Sequence, residues 1–281
     1  MQIALVYCGK GRTWTEKELS YFDIFDSLLM LDVPERIDDS WESNVFATLD
    51  KLEKGMKSKK RVFVSLPYSP LPPLTNNDQT LKPFRQIFPT VLDRFEEMKR
   101  FIEKARTDFS LKKYKSLDLF GIYWNNETYW YDDDHFELLL MSLLSLYLKD
   151  RALKFLWVPA SSRVGVDKRN REMAVTIKNL GIFDYVVLQP NYYQERYERN
   201  LDDLKDVNEL CKKEGLGVEI EFGKEIFREE GHQKRALDYF SVVDNDLLAY
   251  YMDDKAFVMG ADFSHPVYQK VKEKIEKSRR E

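Results

Sequence analysis

Cysteine and histidine are scarce: two cysteines, Cys8 and Cys211, and three histidines in 281 residues. Two cysteines are too few for a disulfide framework, and no two histidines stand at metal-ligand spacing. No apolar run approaches the roughly 18 residues that span a bilayer. MQIALVYCG carries no basic stretch ahead of its apolar residues, so neither a membrane span nor a secretory leader is expected. Neither sign of charge dominates: Lys+Arg 44 against Asp+Glu 48 leaves a net −4, which calls for no nucleic-acid and no membrane partner. Low-complexity tracts and repeats are absent. After the first strand-like run stands CGKGRTW, not Gly-x-Gly-x-x-Gly, and the P-loop pattern is missing, which counts against a dinucleotide-binding domain. A reduced, cytoplasmic protein without a cofactor is expected. Its 33% charged residues, rich in Lys and Glu, fit a thermophilic source.

What the chain has is a regular alternation of two patterns. IALVYC (3–8), SLLMLDV (27–33), RVFVSLPY (61–68), LDLFGIYW (117–124), LKFLWVP (153–159), DYVVLQP (184–190), LGVEIEF (216–222) and AFVMGADF (256–263) read as strands. SLLMLDV also fits the end of a helix. Amphipathic helices are predicted over 40–57 from an N-cap at Ser40, over 84–108 with a split at Pro89, and over 135–150. Others follow over 168–181 and 200–215, ended by Gly181 and Gly215, then at about 228–251 and over 267–280. Strands buried on both faces with helices between them mean a parallel sheet. Eight such units predict one domain over residues 1–281, a (β/α)8 TIM barrel of the α/β class.

In that fold the site lies at the C-terminal ends of the strands. Those ends are aromatic, amide-rich and carboxylate-rich, with few cations, so a phosphate substrate is not expected. The sharpest feature is LGVEIEF. The side-chain period of a strand is two, so Glu219 and Glu221 share one face and Val218, Ile220 and Phe222 the other. Two carboxylates in a buried strand are costly without partners or purpose. Glu127 ends strand four, across the ring. Two opposed carboxyls are what glycoside hydrolysis needs: one protonated to serve the leaving oxygen, one ionised to attack or to activate water. Tyr68, Tyr123, Trp124, Trp157 and Tyr192 would stack on sugar rings. Asn126, Gln189 and Asn191 would bind hydroxyls, with Asp262 at the end of strand eight.

Asn126-Glu127 closing strand four, with a glutamate closing strand seven, resembles the clan A glycoside hydrolases. That resemblance implies Glu127 as acid/base and the strand-seven glutamate as nucleophile. The strings GIYWNNE, LKFLWVPA, LQPNYY and GVEIEF, over roughly 117–222, resemble a bacterial family designated domain of unknown function 4855, whose members resemble TIM-barrel glycosidases. It brings no established reaction with it. Clan A members usually carry one glutamate at the mouth of strand seven, and this chain has two. Glu221, nearer the mouth, is favoured as nucleophile or base, with Glu219 deeper as a hydrogen-bonded modulator.

Plainer readings stand beside these. Glu219 and Glu221 could mark an edge strand with one wet face, or a buried network with Arg163 or Lys154. Glu127 could be a solvated loop residue, and QPNY a turn fixed by Pro190. The aromatics of 126–134 could cap the barrel, and the acidic run 132–134 could face a helix dipole or hold a divalent cation. His265 reads as a helix-start residue and Cys8 as a small buried thiol. Three functions are carried forward: an oligosaccharide-cleaving glycoside hydrolase, a non-catalytic carbohydrate-binding barrel, and an Mg²⁺-dependent lyase or aldolase built on Glu219, Glu221 and Asp262.

Overall fold

The computed structural model describes residues 1–9, 12–32, 39–67, 84–127, 135–161, 167–253 and 255–280. Short apolar runs rich in β-branched and aromatic residues form its strands: β1 (Gln2–Tyr7), β2 (Ser27–Leu31), β3 (Lys60–Ser65), β4 (Leu117–Trp124), β5 (Lys154–Trp157), β6 (Tyr185–Leu188), β7 (Gly217–Glu221) and β8 (Leu248–Tyr251). Each pairs in parallel with the next. β8 closes on β1 through Gln2↔Leu248, Ile3↔Ala249 and Ala4↔Tyr250, giving a closed eight-stranded barrel.

Nine α-helices surround it among the described residues: α1 (Glu16–Ser20), α2 (Asp39–Gly55), α3 (Phe84–Lys112), α4 (His135–Lys149), α5 (Asp167–Asn179), α6 (Leu201–Glu214), α7 (Glu230–Val242), α8 (Ala256–Asp262) and α9 (Pro266–Ser278). The expected (β/α)8 architecture is present. None of these helices is long and apolar enough to cross a membrane. Alternation along the strands makes two cores. Ile3, Leu5, Leu29, Phe63, Leu156 and Val187 fill the ring. A larger set, including Val6, Val64, Ile122, Leu188 and Ile220, packs between strands and helices.

Two local devices set up the site. Asn200 caps α6, accepting from the N–H groups of Asp202 (2.8 Å) and Asp203 (3.1 Å). Gly215, at φ +66°, ends that helix in the left-handed conformation and delivers the chain into β7 two residues later. In β4 the pairing with β3 slips between Val62 and Phe63. There Gly121 approaches so closely that a Cβ would stand 2.4 Å from the Lys154 carbonyl oxygen. The slip puts both Phe120 and Tyr123 inside the ring, three residues apart instead of two or four.

Two expectations need correction. The eighth strand is Leu248–Tyr251, and AFVMGADF forms helix α8 and its C-cap. A short apolar run reads alike as buried strand or buried helix, because periodicity cannot separate them. The run LLAYYM, bounded by acidic residues, is the true strand, and the preceding helix stops at Val242. Helix α3 runs through Pro89 without a split. Proline near a helix start removes few internal hydrogen bonds.

Candidate active site

β7 delivers its two carboxylates where the strand period places them. Val218, Ile220 and Phe222 pack in the helix-facing core. Glu219 and Glu221 lie opposite Ala249 and Tyr251 of β8, and each is 2% exposed. The wet-edge reading of this strand therefore fails, since β7 is paired on both sides. Lys154, the other partner considered, is committed to Asp184 at 2.8 Å.

The two glutamates are held very differently. Tyr239 of α7 donates its hydroxyl to Glu221 Oε2 at 2.5 Å. The backbone N–H groups of Asn191 and Tyr192 donate to the same carboxylate. Asn191 sits at φ +55°, a left-handed conformation that asparagine tolerates, and this bends the QPNY turn toward Glu221. Burial pushes the Glu221 carboxyl up, and these three donors hold it back, leaving it at about 7. Glu219 lacks such support. Its Oε1 is buried with no hydrogen-bond partner. Burial, then the neighbouring charges of Glu221 and Glu127, push it well above the usual carboxylate range. Both effects favour the protonated form of Glu219.

Beyond the slip, β4 alternates with Tyr123 inside and Trp124 outside. Continued, that alternation puts Asn125 and Glu127 on the ring side. Glu127 is exposed, and its field reaches Tyr7, Tyr123, Glu219 and Glu221. Its carbonyl accepts from the Ala160 N–H at 2.9 Å, which ties the end of β4 to β5. The Nδ2 of Asn125 is buried without a partner. Tyr7 and Tyr251 meet edge to face at 6.0 Å. Burial first, then neighbouring tyrosines and carboxylates, raise the hydroxyls of Tyr7 and Tyr123, and Tyr251 is pushed up to about 12. All three stay neutral hydrogen-bond donors at physiological pH.

Other expected site residues face elsewhere. Trp124 and Trp157 are in the helix-facing core; Trp157 stacks on Phe183 at 5.4 Å and donates Nε1–H to the Asn126 carbonyl at 2.7 Å. The Asn126 amide is turned outward, donating to Glu137 Oε1 of α4 at 2.9 Å. Tyr192 also lies outside the ring, donating to Asp238 Oδ2 at 2.7 Å with the Arg235 guanidinium 5.0 Å from its ring centre. Gln189 follows Val187 on the ring side, but its Nε2 is spent on the Val158 carbonyl at 2.9 Å. Asn191 acts on Glu221 through its backbone. Asp262 ends α8, where Tyr21 and Lys17 bind it at 2.7 and 3.1 Å, so it does not join Glu219 and Glu221. His265 caps α9, accepting from the Val267 N–H. Tyr68, Arg163 and the acidic run 132–134 lie outside the described residues.

Tyr7 ends β1, where a reading of the strand ends finds it without giving it a role. Two further residues escaped the sequence. Tyr251 was hidden by the misassigned eighth strand. Tyr239 lies 18 residues from Glu221 with no motif to signal it. Among the described residues no group of three His, Cys, Asp or Glu side chains is arranged to hold a metal ion.

The barrel resembles known structures at low identity. The catalytic domain of a family GH18 chitinase from the fern Peteris ryukyuensis superimposes with a TM-score of 0.57 at 12% identity, over 97% of this chain and 99% of that one. A family 18 chitinase from Crocus vernus gives 0.53 at 14% identity, over 96% and 98%. A GH10 endoxylanase retrieved from a sugarcane soil metagenome gives 0.51 at 12% identity, over 89% and 84%. At such identities the likeness is one of fold. No curated protein matches the chain in sequence. The family described as Domain of unknown function (DUF4855) matches residues 44–277, most of the chain, and the protein belongs to that family.

Proposed function

We propose that the protein is a glycoside hydrolase that cleaves an oligosaccharide with Glu127 as acid/base and Glu221 as nucleophile or base. The observation that carries this reading is the shared field of Glu127, Glu219 and Glu221 at the mouth of a closed barrel. Carboxyl groups that raise one another's affinity for protons divide into a protonated and an ionised member, which is the division glycoside hydrolysis requires. Glu221 is the better ionised member: three donors orient it and favour its charge. Glu219, biased toward its protonated form, lessens the charge facing Glu221. Glu127 is the exposed member, open to a leaving-group oxygen. The neutral hydroxyls of Tyr7, Tyr123 and Tyr251 suit sugar hydroxyls and ring oxygens. The glycoside-cleaving structures that share the fold are consistent with this chemistry.

A second reading has its own support. The Glu221 oxygens are already engaged and almost fully buried, as in a non-catalytic sugar-binding barrel. Turnover of a panel of aryl glycosides by the wild type and Glu127→Gln separates the two. Hydrolysis by the wild type, reduced about 10²–10⁴-fold in the variant, is expected of acid/base catalysis. Sugar binding with no turnover by either protein would overturn the hydrolase.

A further inference from the structure

We propose that the mouth is built for an amino sugar with a free ammonium group, and that this ammonium sits against Glu219 and Glu221. The inference rests on the reading of the mouth as a sugar site and names the substrate class. Among the described residues the charges there are lopsided. Glu127, Glu219 and Glu221 act on one another, and Asp253 and Glu225 act on Tyr251 and Tyr193 at the rim of β7 and β8. Among nearby cations, Arg12 lies 4.1 Å from the Tyr7 ring centre. Arg235 turns away, donating to the Tyr192 and Arg199 carbonyls at 2.7 and 2.9 Å, and Lys224 is exposed.

An acidic cluster alone says little. The independent observation is Glu219 Oε1, an acceptor in a residue 2% exposed with no hydrogen-bond partner. An unsatisfied buried acceptor costs about 1–3 kcal/mol, which a donor from a ligand recovers. A neutral hydroxyl would satisfy the oxygen and leave the repulsion among the carboxylates untouched. An ammonium does both.

A coupled proton follows. Glu219 is faced by Glu221 on its own strand, Tyr7 of β1, Tyr123 and Glu127 from β4, Tyr251 of β8 and Tyr239 of α7, with Arg12 over the Tyr7 ring. The tyrosines stay neutral, so the bound cation acts on the two β7 carboxyls. It favours their ionised forms, so the proton a β7 carboxyl gives up goes to solvent when the amino group arrives already protonated and to the amine when it arrives neutral.

The test is titration calorimetry of the full chain in two buffers of different ionisation heat. The probes are a glucosamine oligomer, its fully N-acetylated counterpart and a glucose oligomer of equal length. The glucosamine oligomer is expected to bind at least tenfold tighter and, at a pH acid enough to keep its free amines protonated, to release protons to the buffer. Glu219→Gln is expected to lose most of that preference and release. Ligand preference and proton count in the wild type need no variant, so a misfolded Glu219→Gln leaves the test intact. Equal affinity for the three oligomers without proton release sinks the ammonium site. Hydrolysis of neutral glycosides would then still uphold the hydrolase, whereas ammonium-selective binding without turnover of any glycoside would do the reverse.

Discussion

Lys60 and Glu219 are both ionisable side chains buried on strands of one barrel, and the fold treats them in opposite ways. Lys60 opens β3 at the N-terminal end of the ring. Its Nζ donates to the Asp23 carbonyl at 2.5 Å and Ser58 Oγ at 2.6 Å, and stands 3.1 Å from Asp23 Oδ1. Burial lowers its proton affinity and Asp23 restores part of it. Around it Lys59 pairs with Asp118 and Arg279 with Asp26, while Arg61 lies over Phe120. Glu219, toward the other end, has an oxygen with no partner and carboxylates for neighbours. The lower end answers each buried charge, as a stability-bearing face should. The mouth leaves like charges close together and a buried acceptor unpaired, the kind of imbalance that marks candidate functional sites.

The largest effects should cross between the two ends. Glu221→Gln should cut turnover of any cleaved glycoside by about 10²–10⁴-fold and move the melting temperature little. Lys60→Ala should do the opposite: about 3 kcal/mol of unfolding free energy is lost, since Asp23 loses its buried partner, while kcat per folded molecule is kept. Urea denaturation and steady-state kinetics on both variants read the pattern. Losses of both kinds in both variants would erase the distinction.

Tyr239→Phe sharpens the contrast from within the mouth. The phenol is the one side-chain donor to Glu221 seen among the described residues, and losing a hydrogen bond to a charged group costs about 1.5–3 kcal/mol. Without it the Glu221 carboxyl rises above its present value of about 7. The pH–rate limb that requires ionised Glu221 should move upward by about one pH unit. A purely structural role for Tyr239 would lower stability and leave that limb in place.

The sequence made β7 legible because two carboxylates in an apolar strand have few explanations, and strand alternation fixes their face. It concealed β8, because LLAYY and AFVMGAD are equally short and apolar, and that single confusion hid Tyr251 and promoted Asp262. The tryptophans sit apart from the expected platform for another reason. Position at a strand end does not reveal whether a residue points inward, and the slip at Gly121 resets the alternation of β4, sending Trp124 and Asn126 outward. Tyr239 illustrates the general difficulty: a helix residue that orients a strand residue leaves no local pattern.

Glu219→Gln tests the claim that the mouth stores repulsion. In the unfolded chain Glu219 ionises near its ordinary value of about 4.3; in the folded protein it stays protonated far above that. Over the interval the folded state binds more protons, so stability falls as pH rises. Glutamine carries no such proton. The variant should therefore gain on the wild type as pH rises above about 4, measured by urea denaturation. Parallel curves would mean that Glu219 ionises freely and that the two ends of the barrel differ less than their hydrogen bonds suggest.

Trp157→Phe should give the smallest effect and decides which layer binds sugar. The indole lies in the helix-facing core, within 23° of parallel to the Phe183 ring, and holds the end of β4 through its bond to the Asn126 carbonyl. Phenylalanine keeps most of the apolar contact and loses the donor, which costs about 1 kcal/mol. Denaturation should register that loss while KM for a cleaved glycoside, or Kd for a bound oligosaccharide, stays unchanged. A rise in KM or Kd with stability intact would bring Trp157 to the sugar, and the division between a ring-facing site and a helix-facing core would have to be redrawn at β5.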